Sequence, residues 1–163
     1  MRGNVTIRAA TQSDLPAVVA LWQEHQEYHA QFDPYFARAL DANPGFLKFL
    51  QESLDHIGLF VAEIDQYLVG FVLAEIARRP PCFAQRDYGM IDDLAVTAAW
   101  RRKGIGQKLL ARATTWFTEK GIHRIEARFL RENELASNFW RKAGFEIYMH
   151  GVYKVVVPDG DSL

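Results

Sequence analysis

Residues 91–106 read IDDLAVTAAWRRKGIG, a pattern typical of a strand that ends in a tight turn and leads into a helix. Gly104 and Gly106 let the backbone turn its N–H groups toward one point without obstruction by a Cβ atom. These donors lie at the positive end of the coming helix, which suits a phosphate or pyrophosphate. Three cationic side chains stand beside this turn, namely Arg101, Arg102 and Lys103. A glycine turn alone is more often structural, and the three cations favour an anion site.

Two common phosphate-binding loops do not fit this turn. A P-loop needs Gly-x-x-x-x-Gly-Lys-Ser/Thr, and the chain contains no such run. A dinucleotide-binding turn needs a third glycine three residues after Gly106, where this chain has Leu109. Neither ATP hydrolysis nor NAD chemistry is therefore favoured.

The strand before the turn has an irregular apolar pattern. Leu94 and Val96 share one face of a regular strand, whereas Ile91 has the opposite parity. One extra residue near Asp92-Asp93, a β-bulge, would bring all three onto the same face. Bulges often lie beside active sites because they redirect side chains and interrupt strand pairing. The alternative is a strand that is apolar and buried on both faces.

The rest of the chain alternates strand-like and helical patterns. Thr11 and Asp14 resemble a capping box at the start of a helix, and Asp65-Gln66 separates two apolar runs as a hairpin turn does. The predicted order is strand 5–10, helix 11–33, helix 44–58, strands 59–64 and 67–77, loop 78–87, strand 88–96, helix 104–120, strand 124–129, helix 133–144, and strands 145–149 and 152–157. This order predicts an α/β architecture with a mixed sheet.

Composition excludes several classes of protein. The 163 residues are typical of one domain, and 19 Lys+Arg against 20 Asp+Glu argue against a nucleic-acid binder. Cys82 is the single cysteine, so neither an intrachain disulfide nor a multi-cysteine metal site is expected. No run of 18 apolar residues suggests a membrane span, and the first eight residues lack the apolar core of a secretory signal. We expect a soluble cytoplasmic protein.

Two motifs resemble those of a known family. The run from Arg101 to Gly106 resembles the Arg/Gln-x-x-Gly-x-Gly/Ala signature of the GNAT superfamily of acetyl-CoA-dependent N-acetyltransferases. Asn133, Ala136, the aromatic pair at 139–140 and Gly144-Phe145 are similar to the family's second motif. The resemblance extends over nearly the whole chain. It implies one acetyltransferase domain over 1–163, with a mixed, mostly antiparallel sheet, a splayed central pair of strands and about four flanking helices.

The resemblance also implies contacts with acetyl-CoA as cosubstrate. Backbone groups of 94–96 would pair with the pantetheine arm like an added strand, and 102–107 would hold the pyrophosphate. Asn133 and its helix would border the far end of the pantetheine. The full expected set is Leu94, Ala95, Val96, Arg101, Arg102, Lys103, Gly104, Ile105, Gly106, Gln107, Asn133 and Ala136.

Acetylation of an amine requires a proton acceptor, because an alkylammonium has a pKa of about 10.4. Asp92 and Asp93 lie in the suspected bulge, and two adjacent carboxylates can raise each other's pKa. Asp92 is expected to accept a proton or hold the amine, Asp93 is the second candidate for this catalytic role, and the alternative is a purely structural role in the bulge. The run 91–96 resembles that of diamine- and polyamine-type acetyltransferases, with Asp92 where that group has Glu. The shorter side chain favours a bridging water.

One position departs from the family pattern. Members commonly have a tyrosine seven residues after the motif asparagine, where it can protonate the departing thiolate; this chain has Trp140. An indole N–H donates a hydrogen bond but does not release its proton near neutral pH. Trp140 therefore either polarises the sulfur or serves as core packing. The alternatives are that another group acts as the acid, or that no acid is required, because a thiol of pKa about 8.5 is already a fair leaving group.

Acceptor specificity is expected from the first helix, the loop after it and residues 78–87. Glu27 and Tyr28 are expected to contact the substrate. His25 and His29 share a helix face at a spacing that zinc sites use, but no metal is expected. The expected reaction is transfer of an acetyl group from acetyl-CoA to a primary amine of a small molecule such as a diamine, polyamine, amino acid or aminoglycoside-like compound, by direct attack on the thioester. The alternatives are acetylation of a protein N-terminus or lysine, and a non-catalytic acyl-CoA sensor. The sequence leaves open whether the protein forms a homodimer.

Overall fold

The computed structural model describes residues 3–156 and contains one five-stranded sheet with the strands in chain order. The strands are β1 (Thr6–Ala9), β2 (Gly58–Ile64), β3 (Tyr67–Arg78), β4 (Asp87–Val96) and β5 (Ile125–Ala127). The helices are α1 (Leu15–Ala30), α2 (Ala42–Ser53), α3 (Ile105–Glu119) and α4 (Glu134–Lys142). The pairs from β1 to β4 are antiparallel, and β4 pairs with β5 in parallel. The predicted α/β class and mostly antiparallel sheet are confirmed.

Local signals in the sequence form the turns and caps that were expected. Asp65 and Gln66 have φ angles of 48° and 68°, which is the backbone of a two-residue hairpin turn between β2 and β3. The Thr11 N–H donates to the Asp14 carboxylate at 2.7 Å, so the capping interaction before α1 is present.

The β-bulge in β4 is confirmed. Leu73 of β3 pairs with Asp93, and the next residue, Ala74, pairs with Ile91, so Asp92 is the extra residue. As a result Ile91 packs into the same apolar cluster as Leu94 and Val96.

The central strands separate just beyond this bulge. Their ladder joins Gly89–Ile91 to Ile125–Ala127, after which β5 ends while β4 continues for five residues to Val96. This is the predicted splayed pair, and it exposes backbone groups of β4 that point toward the gap.

Helices cover both faces of the sheet. α1 and α2 bury Leu15, Val18 and Leu50 against one face, beside Val61 and Phe71 of the strands. α3 and α4 cover the other face, where the buried residues include Ile105, Leu109, Phe117 and Trp140. Within residues 3–156 no helix is both long enough and apolar enough to cross a membrane.

The predicted C-terminal strands were wrong for the described residues. Residues 145–156 form no ladder, and Val157, the last predicted strand residue, lies outside the described range. Alternating apolar residues favour an extended chain, but a strand needs backbone partners. Here Tyr148 is held by its side chain instead, because its hydroxyl donates to Glu126 Oε2 at 2.6 Å. β5 is also shorter than the predicted 124–129, and α2 begins and ends earlier than the predicted 44–58.

Candidate active site

A cavity of about 820 Å³ lies at the gap between β4 and β5. Its walls come from both faces of the sheet, since α1 lines one end and the start of α3 and α4 line the other. The lining includes His25, Tyr28, His29, Asp92, Leu94, Ala95, Val96, Arg101, Arg102, Gly104, Ile105, Gly106, Gln107, Arg128, Asn133, Ala136 and Trp140. All but one of the residues expected to contact acetyl-CoA are in this set, and the exception is Lys103.

The turn before α3 has the geometry of an anion cradle. Arg102 and Gly104 have φ angles of 61° and 78°, so the chain is left-handed at both. Such turns aim neighbouring backbone N–H groups to one side, where they add to the positive end of α3. A Cβ atom at Gly106 would lie 3.1 Å from Phe139 Cε2, so this position needs a small residue for close packing with α4. The residues present fit the pyrophosphate of coenzyme A.

Of the three cations before this turn, two have partners elsewhere. The Lys103 ammonium donates to the Ala99 carbonyl at 3.2 Å and lies 4.3 Å from the centre of the Trp100 ring. Arg101 Nε donates to the Val96 carbonyl at 2.8 Å, and its guanidinium lies 5.0 Å from the centre of the Tyr28 ring. Arg101 therefore joins the end of β4 to α1.

Glu24 of α1 strengthens this junction. Its carboxylate accepts from Thr97 Oγ1 at 2.9 Å and from the Ala98 N–H at 3.1 Å, and it lies 3.7 Å from Arg101 Nη2. Glu24 was not predicted from the sequence, because these contacts join residues more than 70 positions apart and leave no local pattern.

The α4 side of the cavity combines aromatic side chains with three polar ones, Asn133, Asn138 and Lys142. Asn133 is 3 % exposed, and its side chain accepts from the Ala136 N–H at 3.0 Å, which caps α4. Trp140 packs edge-on against Phe139 and Phe145, with ring centres 5.0 Å and 4.8 Å away. Trp140 thus both fills the core and lines the cavity.

At the other end of the cavity, Asp92 stands among charged groups. Burial, the neighbouring Glu75 and Asp93 together raise the pKa of Asp92 to about 7, while Arg128 acts in the opposite direction. Glu75 was not predicted as a site residue either. The sequence does contain a signal for it, because Glu75 is the one acidic residue within the apolar run of β3.

The two bulge carboxylates face different surroundings. Asp93 is absent from the cavity lining and is turned toward α1, where Gln26 Nε2 donates to its Oδ1 at 3.1 Å. His25 Nε2 lies 3.6 Å from the same oxygen. Burial raises the pKa of Asp93 to about 7.

Of the two residues of α1 that were expected to contact the substrate, one lines the cavity and the other does not. Tyr28 lines the cavity, whereas Glu27 lies outside the lining and accepts from Gln23 Nε2 at 2.8 Å. His25 and His29 stack with ring centres 4.1 Å apart. Over residues 3–156 there is no group of three or more His, Cys, Asp or Glu side chains that could hold a metal ion.

Comparison with known proteins identifies the family. The family model described as "Acetyltransferase (GNAT) family" matches residues 15–145. An uncharacterized N-acetyltransferase of Archaeoglobus fulgidus is 31% identical over 82% of this chain and 88% of its own length. One of Methanocaldococcus jannaschii is 28% identical over 86% of this chain, which spans 60% of that relative.

Solved structures show the same fold. The aminoglycoside N-acetyltransferase AAC(6')-Iy in complex with CoA superposes with a TM-score of 0.77, covering 96% of this chain and 97% of that one at 21% identity. The chain belongs to the acetyltransferase (GNAT) family, the acetyl-CoA-dependent N-acetyltransferases.

Proposed function

We propose that this protein transfers the acetyl group of acetyl-CoA to a primary amine of a small molecule. One observation carries the proposal: a single cavity joins an anion cradle at the start of α3 to an end lined by Asp92, Tyr28 and two histidines. The first end suits a pyrophosphate and the second suits a cationic amine. A diamine, polyamine, amino acid or aminoglycoside-like compound would fit this charge pattern.

The cofactor side is assigned as follows. Backbone N–H groups between Arg102 and Gln107 hold the pyrophosphate, with Arg102 supplying a positive charge. The backbone groups of Leu94 and Val96 that point away from β3 hydrogen-bond to the pantetheine amides, and Ala95 between them bonds to β3. Val96 contributes its N–H side only, since Arg101 already donates to its carbonyl.

On the acceptor side, Asp92 binds the ammonium and takes a proton from it, directly or through one water. A pKa of about 7 suits this role, because about half of such carboxylates are ionised at pH 7 and the ionised form is basic enough to accept a proton. Trp140 can donate a hydrogen bond toward the thioester sulfur and cannot protonate it. The thiolate then leaves without a dedicated acid.

The experiment is thiol release from acetyl-CoA in the presence of diamines, amino acids, aminoglycosides and peptides, with acetyl-CoA binding followed by calorimetry. Release with one class of small amine supports the proposal. Release only with peptides would assign the protein to N-terminal or lysine acetylation. Tight binding without release on any amine would identify an acyl-CoA sensor, and absence of binding would refute the cofactor assignment.

Asp92→Asn supplies the matched variant, because it keeps the shape of the side chain and removes its basicity. We expect turnover to fall roughly 100-fold or more, the ordinary contribution of a general base, while acetyl-CoA affinity stays unchanged.

A further inference from the structure

Asp93 and His25 form a buried pair beside the cavity that the proposed mechanism does not use. The two atoms that face each other, His25 Nε2 and Asp93 Oδ1, are 3.6 Å apart, and both side chains are at least 85 % covered, with 15 % and 11 % exposed. Gln26 Nε2 holds the same carboxylate oxygen from the next position of α1. His25 itself lines the cavity, so the pair connects the cavity to a group buried behind it.

Both members of this pair resist carrying a charge. Burial, together with His29 and Arg101, lowers the pKa of His25 to about 3, so the imidazole is neutral at physiological pH. Burial raises the pKa of Asp93 to about 7. An added proton therefore rests on the carboxyl group and leaves the imidazole neutral.

The reaction needs such a second acceptor, and this step rests on the proposed function. An alkylammonium loses two protons as its nitrogen forms the bond to the thioester carbon and the carbon–sulfur bond breaks. Asp92 takes one of them. We propose that His25 takes the other on Nδ1 and passes its Nε2 proton to Asp93, so that the pair acts as one proton acceptor. The products of the step are the amide, two neutral carboxyl groups and the thiolate, which takes up a proton from solvent.

The distance and the neighbours agree with this role. Catalytic hydrogen bonds are often long before substrate binds and shorten in the complex, so 3.6 Å is within reach of a small movement of α1. The charged and titratable groups around the pair are His29 and Glu24 on α1, Asp92 on β4 with Glu75 behind it on β3, and Arg101 after β4. Arg101 opposes an imidazolium cation and so favours transfer through a neutral ring.

The test compares His25→Asn and Asp93→Asn with His56→Asn, a control at an exposed histidine between α2 and β2. Thiol release from acetyl-CoA is measured from pH 5 to 9 with the amine that the wild-type protein acetylates fastest. We expect kcat/KM to fall roughly 100-fold or more in both pair variants and not in the control. On the acid side, log kcat/KM should rise with a slope near 2 in the wild type, since Asp92 and Asp93 must both ionise, and with a slope near 1 in either pair variant. Wild-type rates and slope in His25→Asn would overturn the proposal.

A second readout does not depend on turnover. Nitrogen NMR of 15N-histidine-labelled wild-type protein should show His25 as a neutral imidazole from pH 5 to 8, with its proton on Nε2 at pH 8, where the Asp93 carboxylate is ionised and accepts it. Asp93→Asn should abolish that preference for Nε2. An imidazole that titrates near pH 6.5 would refute the pair even if the protein is an active acetyltransferase. Conversely, if NMR shows the expected tautomer but no amine causes thiol release, the hydrogen-bonded pair is supported and the proposed function is refuted.

Discussion

Gly104 offers a direct test of the anion cradle. Its φ of 78° disfavours side chains, but Asn and Asp tolerate the left-handed region better than other residues, and no atom lies within 4 Å of the Cβ position. Gly104→Asn and Gly104→Asp therefore impose nearly the same backbone cost and side-chain volume. The difference between them is one negative charge at the start of α3.

That charge should repel the pyrophosphate by a predictable amount. A carboxylate roughly 6 Å from two negative charges costs about 1.4 kcal/mol even at the dielectric constant of water, and about four times as much at an effective value of 20. We therefore expect Gly104→Asp to bind acetyl-CoA at least tenfold more weakly than Gly104→Asn. Isothermal titration calorimetry measures both dissociation constants, and added salt should narrow the gap.

Gly121 provides the matched control at the other end of the same helix. Its φ is 74°, and no atom lies within 4 Å of its Cβ position either, but it is absent from the cavity lining. Gly121→Asp and Gly121→Asn should bind acetyl-CoA equally. Equal affinities for the two Gly104 variants would refute the cradle, whereas a gap at Gly121 as large as that at Gly104 would show that the effect is not local.

Three further predictions concern stability and the leaving group. Because the folded-state pKa of Asp93 lies above its unfolded value, folding takes up a proton and the free energy of unfolding falls as the pH rises from about 4 to 7. Urea unfolding at pH 5 and pH 8 should show that the wild type loses about 2–3 kcal/mol more stability between these two pH values than Asp93→Asn does. Arg8 donates to Asp14 at 2.7 and 2.9 Å and holds the pKa of that carboxyl well below its usual range, so Asp14→Asn should cost about 1–2 kcal/mol at pH 7, and this difference should vanish as acid protonates Asp14. Trp140→Phe should reduce kcat by less than the roughly 100-fold that loss of a general acid costs, and a larger loss in thiol release at unchanged acetyl-CoA affinity would contradict the passive role given to the indole.

The bulge shows how far apolar periodicity reaches. The parity of Ile91 against Leu94 and Val96 locates an extra residue to within one position, because a strand cannot bury both parities on a single core face. The hairpin turn at Asp65-Gln66 and the helix starts were also predictable, because the residues that signal each of them lie within a few positions of one another in the sequence.

Contacts between distant segments left no such signal. Glu24 accepts hydrogen bonds from Thr97 and Ala98, and Gln26 donates one to Asp93. These bonds depend on how α1 lies against β4, which no short sequence pattern encodes. The sequence also places Asp92 and Asp93 side by side without showing which of them faces the cavity. Residues 145–156 show the reverse error, since a strand-like pattern does not supply a pairing partner.

The junction of Glu24 with Arg101 has an evolutionary consequence. Through these two side chains, the helix that lines the acceptor end is fastened to the segment leading into the cofactor turn. Substitutions on α1 that adapt the protein to a new amine will therefore also alter its hold on acetyl-CoA, and by linkage the reverse is true. Substrate specificity in this chain can change independently in the loop after α1, but at Glu24 and Tyr28, which both contact Arg101, the two substrates must be accommodated together.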